Sequence, residues 1–169
     1  GETDSPYKKD LRLRDVKLIE HDHKKIKNYL RNIQNEFGIE EQVLTQFKYL
    51  VKNNDIFFVD KNWFDPNPGL FERIGTRFGT INKDDKIILN SQAVQVLSNH
   101  ITKNIFDIKV SEDLKSYLEG AIIKTASTQK GQCIVKYENY TLGTGVFTNA
   151  GLKSQFPRAF RTQEISEMQ

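Results

Sequence analysis

The sequence predicts an α+β chain, with a mixed α/β domain over residues 15–102 and a small β-barrel over 103–163. Val16, Ile19, His23, Ile26, Leu30, Ile33 and Phe37 recur at spacings of three and four, the stripe of an amphipathic helix. After Lys103-Asn104 the pattern changes to short strands between breakers, so closely spaced that closing on themselves is favoured over exposed edges. Charge separates the same two regions. The net charge is +3, and residues 1–123 hold 19 basic and 19 acidic side chains. From Lys124 to Arg161 there are six basic residues (Lys124, Lys130, Lys136, Lys153, Arg158, Arg161) against one acid, Glu138.

Taken in order, residues 1–14 are polar, carry Pro6 and four basic residues, and read as a loose arm. The stripe from Val16 to Phe37 predicts a helix of about six turns, closed by Gly38 at its C′ position. A second helix is expected from Glu40, with Val43, Leu44, Phe47, Leu50 and Val51 inward, stopped by Asn53-Asn54-Asp55. Ile56 to Val59 reads as a buried strand, and Asn62 to Gly69, with Pro66 and Pro68, as a loop. Ile74 to Ile81 reads as a strand whose glycines mark a bulge or close packing. Asn82 to Asp85 turns it back into Lys86 to Leu89, and Ser91 caps a helix with Ala93, Val94 and Leu97 inward.

In the second region Phe106, Ile108 and Val110 alternate with Asp107 and Lys109, the period of a half-buried strand. Ser111 caps a short helix containing Leu114, Tyr117 and Leu118 and closed by Gly120. Strands are then expected at Ala121–Lys124, Cys133–Tyr137, Thr141–Phe147 and Phe156–Arg161, before an acidic tail over 164–169.

The residues argue against several functions. No apolar run approaches the roughly 18 residues that span a bilayer, and no signal-peptide core opens the chain. The single cysteine, Cys133, excludes an intrachain disulfide, points to a reducing compartment, and in its apolar context behaves as a small hydrophobe. Asn139-Tyr140-Thr141 matches a glycosylation acceptor but reads as a turn. On a helix, His21 and His23 point apart and share no metal, and His23 packs on the stripe. Gly143-Thr144-Gly145 lacks the third glycine and long helix of a dinucleotide loop; its glycines let a strand bend or approach another closely. The carboxylates form no marked acid–base pair. The expectation is a protein that is not an enzyme and takes neither metal nor cofactor.

Binding has more support. A basic segment with one acid suits a polyanion, and Lys153, Arg158 and Arg161 surround Phe156, Pro157 and Phe160. Cations neutralise phosphates while aromatic faces stack unpaired bases. The RNA-binding candidates are Lys124, Lys153, Arg158 and Arg161. Arg158 and Arg161 face opposite sides of a regular strand and Lys153 precedes it in a loop, so a bend at Pro157 is needed to gather them. At least one of the two phenylalanines is expected in the core. Trp63 and Phe64, beside Pro66 and Pro68, are candidates for docking a partner or for plugging the fold locally.

Phe106 to Lys124 (strand, short helix ending in glycine, strand), followed by Tyr140-Thr141-Leu142-Gly143-Thr144-Gly145-Val146-Phe147, resembles a PUA domain, the module named for pseudouridine synthases and archaeosine transglycosylases. Asp55 to Asp60, Ile74-Gly75-Thr76-Arg77-Phe78-Gly79-Thr80-Ile81 and the following hairpin resemble the pre-PUA domain of the Nip-seven family of ribosome-biogenesis factors. The resemblance covers about residues 55–161 and implies a pre-PUA domain followed by a PUA-type barrel. It further implies a monomeric, non-catalytic adaptor that grips single-stranded uridine- or A/U-rich pre-rRNA and engages other assembly proteins, away from membranes. The family's basic residues fall here on Lys153, Arg158 and Arg161. An archaeal form would be cytoplasmic; a eukaryotic one would be nuclear or nucleolar. Two other readings stay open: an RNA-binding accessory domain of an RNA-modifying enzyme, and a protein–protein interaction module.

Overall fold

The structure is a computed structural model that describes residues 18–62 and 75–158. Trp63, Phe64 and Arg161 lie outside the described residues. Contacts divide the chain into two compact units, residues 1–35 with 39–87 and residues 36–38 with 88–169. Both sheets and the curled C-terminal one in particular bear out the α+β class.

Helix α1 (Lys27–Phe37) takes only the second half of the predicted stripe, burying Leu30, Ile33 and Phe37. Upstream, Ile19 exchanges two backbone hydrogen bonds of 2.8 Å with Tyr49, and residues 21–26 form turns instead of helix. His21, Asp22 and His23 are weak helix formers, so pairing with a strand wins there. His21 and His23 therefore do not share a helix as expected, and the Lys25 N–H donates to His23 Nδ1 at 3.1 Å. At the other end Gly38 has φ +63, the left-handed conformation a side chain resists. The Ile39 N–H then reaches the Gln34 carbonyl at 3.1 Å, closing a Schellman cap with Ile39 buried.

The second predicted helix is half helix, half strand. A single turn, α2 (Glu41–Leu44), gives way to β1 (Phe47–Lys52), which pairs antiparallel with β2 (Asp55–Asp60). Asn53, at φ +56, makes the tight reversal between them. The buried Tyr49 hydroxyl donates to the Leu44 carbonyl at 2.7 Å, and burial holds this phenol well above its usual pKa. Phe78 stands edge-on to both Tyr49 and Phe58, with ring centroids at 5.8 and 5.2 Å.

Strand β3 (Thr76–Ile81) follows, and its register on β2 slips between Ile56 and Phe57, a bulge at the glycine the sequence marked. The slip sets the Arg77 guanidinium 5.5 Å from the Phe57 ring centroid and 3.7 Å from Asp55. With β4 (Ile87–Leu89) the sheet runs in the order β1-β2-β3-β4.

In the second unit, α3 (Ser91–Leu97) is capped by Asn90, not Ser91: the Asn90 side chain accepts from the Gln92 N–H at 2.9 Å. Strand β5 (Ile105–Ile108) leads into α4 (Ser111–Leu118), whose N-cap is Val110, so Ser111 is the first helical residue and not the cap. The remaining strands are β6 (Ile122–Ile123), β7 (Gly131–Tyr137), β8 (Tyr140–Thr148) and β9 (Gly151–Ser154), in a sheet of order β5-β7-β8-β9-β6. All pairings described are antiparallel except β5 on β7, which is parallel. Glu138 and Asn139, both at positive φ, make the β7–β8 turn, as read for the Asn139 triplet.

One face of this sheet curls around a core of Ile108, Tyr117, Leu118, Ile123, Cys133, Val135, Phe147 and Leu152. Helix α3 lies against β8, burying Ala93, Val94 and Leu97, while Gln95 Nε2 donates to the Thr141 carbonyl at 2.6 Å. The predicted strand at Phe156–Arg161 is not formed over its described part. Among the described residues the last strand is β9, after which Phe156 turns in against the Tyr117 ring at 5.6 Å and Arg158 stands outside any strand. The pull of the core on Phe156 outweighs the edge pairing a strand there would gain.

Candidate nucleic-acid interface

Two of the basic candidates, Lys124 and Lys153, sit by the short edge of the C-terminal sheet. Strand β6 pairs with β9 through only two positions, Ile122 with Lys153 and Ile123 with Leu152. Alternation turns Ile123 and Leu152 into the core and leaves Lys153 and Ile122 outward, Ile122 at 43% exposure. Lys124 follows β6 directly and is exposed. Lys124, just past β6, is thus brought near Lys153 on the neighbouring β9, although Lys153 was expected in a loop. Val146 stands opposite Lys153 on β8 and is half-buried, so the lysine projects from an apolar footing. Arg158 is exposed but lies four residues past the end of β9, beyond Pro157.

Lys130, which the sequence marks only by its charge, is exposed immediately before β7. No carboxylate of the described residues lies within ion-pairing distance of Lys124, Lys130, Lys136, Lys153 or Arg158. From residue 120 to 158 the only acid is Glu138, at the β7–β8 turn. The signal that could have found Lys130 is its position at the far end of an acid-free, hydroxyl-rich segment.

The other side chains singled out are structural. Phe156 packs into the core, as expected of at least one phenylalanine there. Cys133 is fully buried; burial, opposed by a hydrogen bond with the Gly145 backbone, pushes its thiol up to about 12. A protonated thiol at that depth is packing. Gly143 has φ +155, and a Cβ there would stand 2.7 Å from the Tyr117 hydroxyl; one on Gly145 would stand 2.9 Å from Leu152. Close approach is therefore what this pair permits. In the first unit His21 Nε2 lies 3.9 Å from Glu41, while its buried Nδ1 has no hydrogen-bond partner among the described residues. Among the described residues no three His, Cys, Asp or Glu side chains are grouped to hold a metal, and no helix is long and apolar enough to cross a membrane.

A curled five-stranded sheet with a parallel outer strand, a helix between its first two strands in the chain, and a Leu-Gly-x-Gly-Val strand at its centre define a PUA-type domain. The comparison with known families agrees: residues 103–162 match the family described as the PUA domain of the methyltransferase RsmF. The match covers the C-terminal domain and not the rest of the chain. No curated protein matches the sequence.

Proposed function

We propose that this protein is a non-catalytic RNA-binding adaptor whose PUA-type domain holds single-stranded, uridine- or A/U-rich RNA. The observation that carries the reading is the pairing of unneutralised cations with a PUA-type sheet: Lys124 just past β6 and Lys153 on the adjoining β9, in a segment with one acid. Cations of this kind release counterions from a phosphate backbone and supply most of the affinity. Arg158 and Arg161 extend the same polarity along the chain. The finer assignment is to pre-rRNA processing and assembly of the large ribosomal subunit. It rests on the Nip-seven-like pattern of residues 55–89 and on β2, β3 and β4 lying in sequence across one sheet. In that setting the N-terminal half, with Trp63 and Phe64, meets other assembly proteins. The protein works as a monomer, in the cytoplasm of an archaeon or the nucleolus of a eukaryote.

A second reading has its own support. The family match is to the PUA domain of a methyltransferase, so the chain also fits an RNA-binding accessory part of an RNA-modifying enzyme.

Fluorescence anisotropy with short uridine- and adenine-rich RNAs at two salt concentrations tests the reading. Wild type is compared with a Lys153→Ala, Arg158→Ala, Arg161→Ala variant. Salt-sensitive binding that the variant loses supports RNA recognition by the C-terminal domain. Absence of binding by wild type at low salt sinks it. Sequencing RNA cross-linked to the protein in cells separates the two assignments: pre-rRNA supports assembly, and a discrete set of modified positions supports an enzyme partner.

A further inference from the structure

We infer that the segment from Lys124 to Lys130 is a clamp on the RNA sugar–phosphate backbone that ignores the bases, with Lys130 as a cation of the site. The inference rests on the RNA-binding reading above and adds its mode of contact. The segment Lys124-Thr125-Ala126-Ser127-Thr128-Gln129-Lys130 joins β6 to β7, and every residue except the half-buried Thr125 is exposed. It holds two lysines at its ends, three hydroxyls between them, and no carboxylate.

Two of the three hydroxyls are set to donate. Thr125 Oγ1 accepts from the Ser127 N–H at 3.3 Å, and Ser127 Oγ accepts from the Gln129 N–H at 3.1 Å. A hydroxyl whose oxygen already accepts a backbone N–H keeps its own O–H for an outside acceptor. The two O–H groups, the Gln129 amide N–H and the two ammonium groups therefore present donors outward, and the side-chain acceptors beside them, the Gln129 amide oxygen and the hydroxyl oxygens, are uncharged. Such an array, with charge on its donors and none on its acceptors, suits phosphate oxygens better than the mixed donor and acceptor edge of a base.

Its placement fits a polymer better than a lone ion. Six peptide steps allow the two lysines to stand up to about 20 Å apart, and Lys153 projects from β9 beside the segment's first residue. Glu36 bounds the array at the β7 end, its Oε1 3.7 Å from the position of a Cβ on Gly131. A strand passing along this edge meets cations at intervals, with the exposed Ile122, opposite Lys153, as an apolar contact.

The test is anisotropy of labelled oligo-U, oligo-A and oligo-C RNAs against the full chain, between 0.05 and about 0.5 M salt. One variant is Lys130→Ala; another combines Thr125→Ala, Ser127→Ala and Thr128→Ala. Loss of one cation flattens the log–log salt slope by about 0.7, so Lys130→Ala is expected to bind about fivefold more weakly at 0.1 M salt, equally on all three RNAs. The hydroxyl variant is expected to lose affinity with its slope unchanged, because neutral donors release no counterions. Inorganic phosphate at millimolar concentration is expected to compete only as its ionic strength predicts. Wild type that binds RNA while Lys130→Ala binds with the same affinity and slope overturns the clamp alone. A loss confined to one base also overturns it, since the segment would then be reading sequence. Specific competition by phosphate would show a single-ion site instead. Failure of wild type to bind any of the RNAs removes both the clamp and the reading beneath it.

Discussion

Gln132 completes the backbone of Leu89 as a neighbouring strand would: its Oε1 accepts from the Leu89 N–H and its Nε2 donates to the Leu89 carbonyl, both at 2.9 Å. Gln132 is itself 4% exposed, and its Nε2 also reaches Gln155 Oε1 at 3.1 Å, which in turn accepts from Thr144 Oγ1 at 2.8 Å. A buried polar chain thus fixes the segment entering the C-terminal unit to β7 and to the residues after β9. Gln132→Leu is expected to strand a buried N–H and a buried C=O, costing about 2–4 kcal/mol in urea unfolding. Gln132→Glu keeps an acceptor for the N–H but loses the donor, and it is expected to destabilise as well. A variant as stable as wild type would show that water substitutes for the amide.

Gly38 supports a second prediction. Its φ of +63 costs a side chain about 1–2 kcal/mol, and a Cβ there would stand 2.1 Å from Thr102 Oγ1. That hydroxyl donates to the Gly38 carbonyl at 2.8 Å, so it cannot move aside without losing its bond. Gly38→Ala is expected to lower the unfolding free energy by at least the conformational cost, read from the urea midpoint at constant slope.

The alkaline limb of stability follows from two buried groups. The Cys133 thiol, ordinarily near 9, is pushed up to about 12 by burial, and the Tyr49 phenol is raised from 10 by the same cause. Both stay protonated in the folded chain while the unfolded chain ionises. Their contribution is whole below the unfolded values and is lost as pH climbs from about 9 towards 12 and beyond. The melting temperature should therefore fall over that window, less steeply in Tyr49→Phe. A thiol reagent at pH 8 should label Cys133 only as fast as the protein opens; rapid labelling of folded protein would contradict the buried thiol.

A fourth prediction concerns the paired lysines. Lys124→Ala with Lys153→Ala removes two cations, one just past β6 and one on β9, so the salt slope of single-stranded RNA binding should flatten by about 1.4. Arg158→Ala, on the chain beyond β9, should flatten it independently. Equal slopes in the double variant and wild type would place the RNA elsewhere.

What the sequence made legible was local. The inward residues of α1 and the alternation of Phe106, Asp107 and Ile108 in β5 were plain because each element has one buried face. Strand β1 was not, since Tyr49 and Leu50 are both buried and a strand covered on both sides shows no period of two. Strand β9 was not either: Gly151-Leu152-Lys153-Ser154 has one apolar side chain, and its place is set by partners on β8 and β6. The composition marked the basic region, but joining Lys124 to Lys153 required a register that residues 29 apart in the chain do not advertise. Phe156 and Arg158 were misplaced for the converse reason, as a strand-like composition gave way to packing on Tyr117.

The brevity of β6 has a consequence beyond recognition. Two residues of edge offer an incoming chain almost no backbone to pair with, and Lys153 and Lys124 flank the little there is. Strands from separate molecules are kept from zipping together by shortness and by charge at once. Replacing these lysines with alanine therefore removes a guard against self-association together with the phosphate contacts. The alanine variants should sediment as concentration-dependent oligomers well before they lose their fold.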